Sequence, residues 1–219
     1  MSNKKLFICG STGVGKTKLS IELAKKINGE VLNMDSMQMN KDLDIALNKA
    51  STNEISSIKH HMFSFLEIED GIKYDVHQFK KDAEVVFQEM EGKEKFPIIV
   101  GGTTYYMEAL IYKDFLSGSV ERKLKEVVTH LPHPNQLRKA RKEDNMLNIL
   151  KPKELRYPDS LIIWLDFEDR DLLKKVLSDR IDVMIERGLV QELQQFIYKC
   201  AKKIDKLCEL RAKRLIFWN

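Results

Sequence analysis

Gly10-Ser11-Thr12-Gly13-Val14-Gly15-Lys16-Thr17 reads G-x-x-x-x-G-K-T. An apolar run, Leu6-Phe7-Ile8-Cys9, stands before it and suits a buried strand. After it, Leu19, Ile21, Leu23, Ala24 and Ile27 recur at helical spacing and stop at Asn28-Gly29, a good left-handed terminator. Strand, glycine-rich loop and helix in that order make a P-loop in its expected context. The glycines free the backbone to turn several N–H groups inward at a helix N-terminus, which makes an anion cradle. Lys16 adds a point charge for outer phosphates, and the Thr17 hydroxyl is the usual Mg²⁺ ligand of such loops. The loop alone does not say which phosphate compound it holds.

After that helix, Glu30-Val31-Leu32-Asn33-Met34 predicts a second strand with Asp35-Ser36-Met37-Gln38 at its end. Carboxyl ends of strands in an open α/β sheet line the ligand crevice, so Asp35 is expected to face the P-loop's cleft. Its competing reading is a helix N-cap. From Met39 to about Gly71 the pattern is weak, and His60-His61 within it reads as loop and core-edge histidines, not a metal site. Tyr74 to Met90 reads as an amphipathic helix with Phe79, Ala83, Val86, Phe87 and Met90 inward and Lys80, Lys81 and Asp82 solvated. Phe96-Pro97-Ile98-Ile99-Val100 is apolar throughout, as a central parallel strand is. It runs into Gly101-Gly102-Thr103, which offers N–H groups and a hydroxyl to a phosphate, or is only a tight turn.

Beyond Leu116 the composition turns basic. Arg138, Lys139, Arg141 and Lys142 place four cations on one predicted helix, either a solvated face or a contact for nucleic-acid phosphates. Leu161-Ile162-Ile163-Trp164-Leu165-Asp166 is a fourth strand ending in an acid, which imitates a Walker B segment, but Phe167-Glu168-Asp169-Arg170-Asp171 reads as a helix start. Arg180 and Arg187, seven apart on the helix that follows, share a face; either can reach bound phosphates or form a surface pair.

The 219 residues carry a net charge of +4, with 32% charged and 43% hydrophobic residues, the balance of a soluble globular enzyme. No apolar run reaches membrane-spanning length and no signal-peptide core follows Met1, so a cytoplasmic protein without membrane attachment is expected. Cys9, Cys200 and Cys208 lack metal-ligand spacing and read as reduced thiols.

Together these segments resemble the tRNA dimethylallyltransferases, also called tRNA isopentenyltransferases, and the related adenylate isopentenyltransferases. Asp35-Ser36-Met37-Gln38 matches the family's D-S-M-Q segment, and Val100-Gly101-Gly102-Thr103 with Tyr106 its V-G-G-T-x-x-Y. Arg180-Ile181-Asp182-Val183-Met184-Ile185-Glu186-Arg187-Gly188-Leu189 is similar to its R-[VI]-D-x-M-[IL]-x-x-G-L. His133-Pro134-Asn135 with Arg138 and Arg141, and Ala212-Lys213-Arg214 with Trp218, resemble two further segments, all in family order. The stretch between Leu116 and Tyr157 is shorter than the family's helical domain, and no counterpart of its G-Y-K-E segment stands between Gln195 and Leu210.

The resemblance implies an α/β fold, a P-loop NTPase-like parallel sheet flanked by helices, built from residues 1–116 and 158–219 and interrupted by a small helical insertion at 117–157. It implies transfer of a dimethylallyl group from dimethylallyl diphosphate to the N6 amine of an adenine beside the tRNA anticodon, by a monomer using Mg²⁺. Diphosphate falls to Gly10, Ser11, Thr12, Gly13, Val14, Gly15, Lys16 and Thr17, with Mg²⁺ at Thr17. Asp35 is similar to the general base, and Thr103 and Arg180 meet the leaving diphosphate. Asp35, Ser36, Met37 and Gln38 hold the adenine, and Arg138, Lys139, Arg141 and Lys142 meet the tRNA backbone. Three other readings stand beside it: prenyl transfer to free adenine nucleotides, an ATP-using small-molecule kinase or NTPase with Asp166 as its Walker B acid, and an inactive tRNA-binding relic.

Overall fold

The computed structural model describes residues 4–51, 55, 57–67, 74–113, 115 and 154–216, with side chains described through residue 203. Among them, β1 (Leu6–Gly10) feeds the glycine-rich loop and α1 (Lys16–Lys26). Next come β2 (Gly29–Asn33), β3 (His60–His61), α2 (Val76–Gly92), β4 (Phe96–Val100), α3 (Thr104–Ile111), β5 (Leu161–Leu165), α4 (Arg170–Glu186) and α5 (Leu189–Ile216). The strands form one sheet in the order β3-β2-β4-β1-β5, and every pairing is parallel. The expected P-loop NTPase-like sheet is therefore the fold.

Alternation along the strands sets the layers. Leu6 and Ile8 of β1, Val31 of β2 and Ile98 and Val100 of β4 pack with Ala24, Leu19 and Leu23 of α1. Their neighbours Phe7, Cys9, Leu32 and Ile99 face the other way, against Phe79, Ala83, Phe87 and Met90 of α2 and Ala109 and Leu110 of α3. Phe79, fully buried and worth about 2–3 kcal/mol by its removal from water, stacks on Tyr106 with ring centroids 4.1 Å apart. Because helices cover both faces, β4 needs no polar alternation, and its unbroken apolar run follows.

Two local readings change, and a third gains its place in the sheet. The weak stretch before Gly71 contains a strand: His60–His61 pairs parallel to Val31 and Leu32 at the sheet edge. His61 is buried there, with Nε2 2.6 Å from Glu30 Oε2, and that buried pair holds a strand of only two residues in place. Asp82 on α2 is not merely solvated; it accepts from Tyr74 Oη at 2.8 Å and from Gln78 Nε2 at 2.7 Å. Strand β5 lies at the opposite edge, so Ile163 and Leu165 join the core while Leu161, Ile162 and Trp164 remain exposed.

Most of the expected insertion, with Arg138, Lys139, Arg141 and Lys142, lies outside the described residues. Its two ends meet: Tyr112 and Leu155 form an antiparallel bridge, with Lys113 N–H donating to Glu154 O and Arg156 N–H to Ile111 O. Among the described residues no helix is long and apolar enough to cross a membrane.

Candidate active site

Parallel strands deliver their carboxyl ends to one edge, and here that edge collects the loop after β1, Asp35 after β2, Gly101-Gly102-Thr103 after β4 and Asp166 after β5. Residues distant in sequence thereby share one cleft.

The loop after β1 keeps three glycines at positive φ, Gly10, Gly13 and Gly15. Gly10 is also forced by space, because a Cβ there would lie 1.7 Å from Leu165 O of β5. Gly13 packs against Val176 and Leu177, which brings α4 over the loop. Lys16 turns back onto its own loop and donates from Nζ to Gly10 O at 2.9 Å and Ser11 O at 2.7 Å. Burial pulls its ammonium below the ordinary lysine range, the Asp35 charge pushes it back up, and Arg180 lowers it further. Burial likewise lowers Arg180, again opposed by Asp35. Lys16, Asp35 and Arg180, from three different elements, thus share one electrostatic environment. Arg187, its rival on the same helix, caps the end of α4 and is exposed.

Asp35 sits in a built turn. The buried Asn33 side chain brackets its backbone, accepting from Asp35 N–H at 3.2 Å and donating to Asp35 O at 3.1 Å and Met62 O at 3.0 Å. Asp35 Oδ1 accepts from Met37 N–H at 3.1 Å, so the capping reading survives as a local turn, with no helix after it. Its Oδ2 lies 3.6 Å from where a side chain on Gly102 would begin, so the carboxylate faces the Gly101-Gly102 turn. Thr103 closes that turn over Ser36: its Oγ1 accepts from Ser36 N–H at 3.0 Å and donates to Ser36 Oγ at 3.2 Å. Met37 is 57% exposed beside it, and Gln38 Nε2 donates to Leu47 O at 3.4 Å and Asn48 O at 3.3 Å.

Two contributors, Asn33 and Glu192, escaped the sequence reading, and a third, Asp166, reads there only as a Walker B imitation. Asn33 carries a signal, since an asparagine inside an apolar strand is out of place unless its amide has work there. Asp169 caps α4, as the stretch 167–171 reads, and the strand-end Asp166 accepts from Ser11 Oγ at 2.5 Å and Phe167 N–H at 2.9 Å and so reaches the P-loop from β5. Those two hydrogen bonds hold its carboxyl below the usual range. Glu192 of α5 also reaches the turn after Gln38, a contact no periodicity announces.

A family model described as IPP transferase matches residues 38–156 and 133–214. The chain belongs to the IPP transferase family. It is similar to a tRNA dimethylallyltransferase of Saccharomyces cerevisiae, 34% identical across 95% of this chain and 56% of that protein. A tRNA dimethylallyltransferase of Staphylococcus saprophyticus is 33% identical across 90% of this chain and 74% of its own length. Among solved structures, a eukaryotic dimethylallyltransferase acting on tRNA superposes with a TM-score of 0.72 at 30% identity, over 92% of this chain and 57% of that one. The tRNA isopentenylpyrophosphate transferase of Staphylococcus epidermidis gives 0.66 at 30%, over 90% and 74%. The chain thus spans little more than half of its yeast relative. Within the IPP transferase family, the P-loop, the D-S-M-Q turn and the Gly-Gly-Thr turn are the parts this chain brings to one cleft.

Proposed function

We propose that the chain transfers a dimethylallyl group from dimethylallyl diphosphate to the N6 amine of an adenine beside the tRNA anticodon. The observation that carries this reading is the Asp35 carboxylate facing the Gly101-Gly102 turn beside the glycine-rich loop, where its charge acts on both Lys16 and Arg180, in a chain of the IPP transferase family. A phosphate-loop NTPase also sets a carboxylate and an arginine near its lysine, so the family, and the place of Asp35 in the D-S-M-Q turn, favour prenyl transfer over it.

The donor's diphosphate lies in the loop from Gly10 to Thr17, where Lys16 exchanges its two loop carbonyls for phosphate oxygens. As the carbon–oxygen bond of the donor breaks, charge gathers on the departing diphosphate. Lys16, Arg180, the loop N–H groups and the Thr103 hydroxyl are placed to meet that charge and lower the barrier. Adenine N6 is a weak nucleophile because its lone pair is shared with the ring, so Asp35 takes the N6 proton as the new carbon–nitrogen bond forms. Ser36, Met37 and Gln38 hold the base, which must leave its stack to enter.

Mg²⁺ fits these residues. Among the described residues no cluster of three metal-ligating side chains exists, and this cation takes few protein ligands when phosphate oxygens and water supply the rest. The Thr17 hydroxyl would hold it, and when bound it supplies countercharge to the diphosphate. The segment 117–157, with Arg138, Lys139, Arg141 and Lys142, is assigned to the tRNA backbone, and a cytoplasmic monomer is the expected form.

The test supplies dimethylallyl diphosphate and Mg²⁺ with unmodified tRNA, or with AMP, ADP and ATP, and follows prenyl incorporation by wild type and Asp35→Ala. Incorporation into tRNA that the variant loses is the expected result. Incorporation into free nucleotides alone moves the activity to an adenylate prenyltransferase; ATP hydrolysis without prenyl transfer overturns both.

A further inference from the structure

The turn after Gln38 is held from the far end of the chain. Residues 43–49 wind into a short helical turn, with Leu47 N–H donating to Leu43 O and Asn48 N–H to Ile45 O. Its leading amides, Ile45 and Ala46, have no partners within the turn, the usual debt of any helical start. Glu192, in the first turn of α5, settles both: Oε1 accepts from Ile45 N–H at 2.9 Å and Oε2 from Ala46 N–H at 2.8 Å. Two turns further along α5, Lys199 pairs with Asp42 at 2.5 Å. Lys49, nearly buried, ties the turn to itself through Asp42 O at 2.8 Å and Asp44 Oδ1 at 2.7 Å.

The carbonyls at the end of this turn, Leu47 O and Asn48 O, are those that take the Gln38 side-chain amide. With Nε2 turned toward two carbonyls, the network assigns the opposite end of the amide to Oε1, an acceptor. The Gln38 backbone is held separately, its carbonyl accepting from Ser64 N–H at 3.0 Å. Only the orientation of the side chain therefore depends on the turn, and the turn depends on α5.

We infer that Glu192 is a positioning residue for the acceptor base: by capping the 43–49 turn it fixes the Gln38 amide so that an acceptor, not a donor, is offered to the exocyclic amine. The inference rests on the proposed prenyl transfer to adenine, since it names what holds one wall of that same pocket. It also gives α5 a role in substrate selection without contact with substrate.

The experiment has two arms. In the first, amide hydrogen exchange of the whole chain is compared between wild type, Glu192→Ala and Glu192→Gln. Faster exchange confined to residues 43–49 in Glu192→Ala, and an intermediate rate in Glu192→Gln, which keeps one acceptor oxygen, is expected; unchanged exchange there, or acceleration across the whole sheet, overturns the anchoring. The second arm measures steady-state transfer to unmodified tRNA. Glu192→Ala is expected to raise KM for tRNA about tenfold, the scale of one charge-assisted hydrogen bond, with KM for dimethylallyl diphosphate kept within about twofold. Gln38→Ala added to Glu192→Ala then costs less than on the wild-type background, because the two act through one contact. Additive losses, or equal losses for donor and acceptor, overturn the inference. A wild-type protein inactive on tRNA overturns the functional reading instead, and the exchange arm still decides whether Glu192 anchors the turn.

Discussion

The hydroxyl oxygen of Thr103 accepts the backbone N–H of Ser36 at 3.0 Å and returns a hydrogen bond to Ser36 Oγ at 3.2 Å. One side chain thereby locks the turn after β4 to the turn after β2, across the cleft where the chemistry is placed. Thr103→Val keeps the shape and removes both bonds. It is expected to cost about 1–2 kcal/mol in urea unfolding and more than tenfold in single-turnover prenyl transfer, whereas Thr103→Ser keeps most of both.

Gly101 has no room for a side chain. A Cβ there would lie 2.3 Å from Met34 C and 2.6 Å from Asp35 N, so Gly101→Ala must push the Asp35 turn away from β4. A loss of about 3 kcal/mol and most of the activity is expected. Gly92→Ala, at the end of α2 with nothing within 4 Å, serves as the control and should gain up to about 1 kcal/mol. Equal melting shifts in the two variants would contradict the close approach.

Lys16 separates stability from binding. Burial already disfavours its charge in the folded chain, so Lys16→Met should leave the melting temperature unchanged or raised when no donor is present. The same variant should weaken dimethylallyl diphosphate binding about 100-fold in calorimetry.

His60 makes the fold sensitive to acid. Its Nδ1 donates to Ile58 O at 2.8 Å, and among the described residues its Nε2 is buried without a partner. Burial above all, with His61 beside it, pulls the imidazole below its ordinary 6.5, against the Ile58 bond that favours the charged form. As pH falls below 6.5 the unfolded chain takes up this proton first, so stability drops through that window and levels off below the folded value. Urea unfolding midpoints from pH 7.5 to 5 should fall more steeply for wild type than for His60→Asn, which keeps a donor for Ile58 without titrating.

What the sequence made legible was local. The P-loop, the amphipathic α2 and the apolar β4 each carry their own period or glycine pattern, and the structure places them as read. The β3 strand was hidden because two residues cannot display alternation, and its histidines are buried through a partner, Glu30, on a different strand. At the cleft, Lys16, Asp35, Thr103 and Asp166 stand out because each lies in the segment that follows a readable strand. The choice between Arg180 and Arg187 was not legible in helix spacing, since both face the same side of one helix, and came from the family resemblance alone; α4 packs on Gly13, and the charge of Arg180 acts on Lys16. Glu192 and Asp166 act through backbone N–H and a hydroxyl far away in sequence, and such partners leave no spacing to read.

The edge position of β5 bears on how the protein is made. Among the described residues, four of the five strands and the three helices that cover them lie before residue 112, and β5 joins the sheet along β1. In a chain emerging from the ribosome the Asp35 and Thr103 turns, which bond each other, are complete before residue 112, whereas the P-loop waits for Leu165 and Asp166. Arg180, Asp166 and Glu192 arrive last. Translation therefore delivers the four-stranded part of the sheet before the side chains that engage the P-loop and the Gln38 turn.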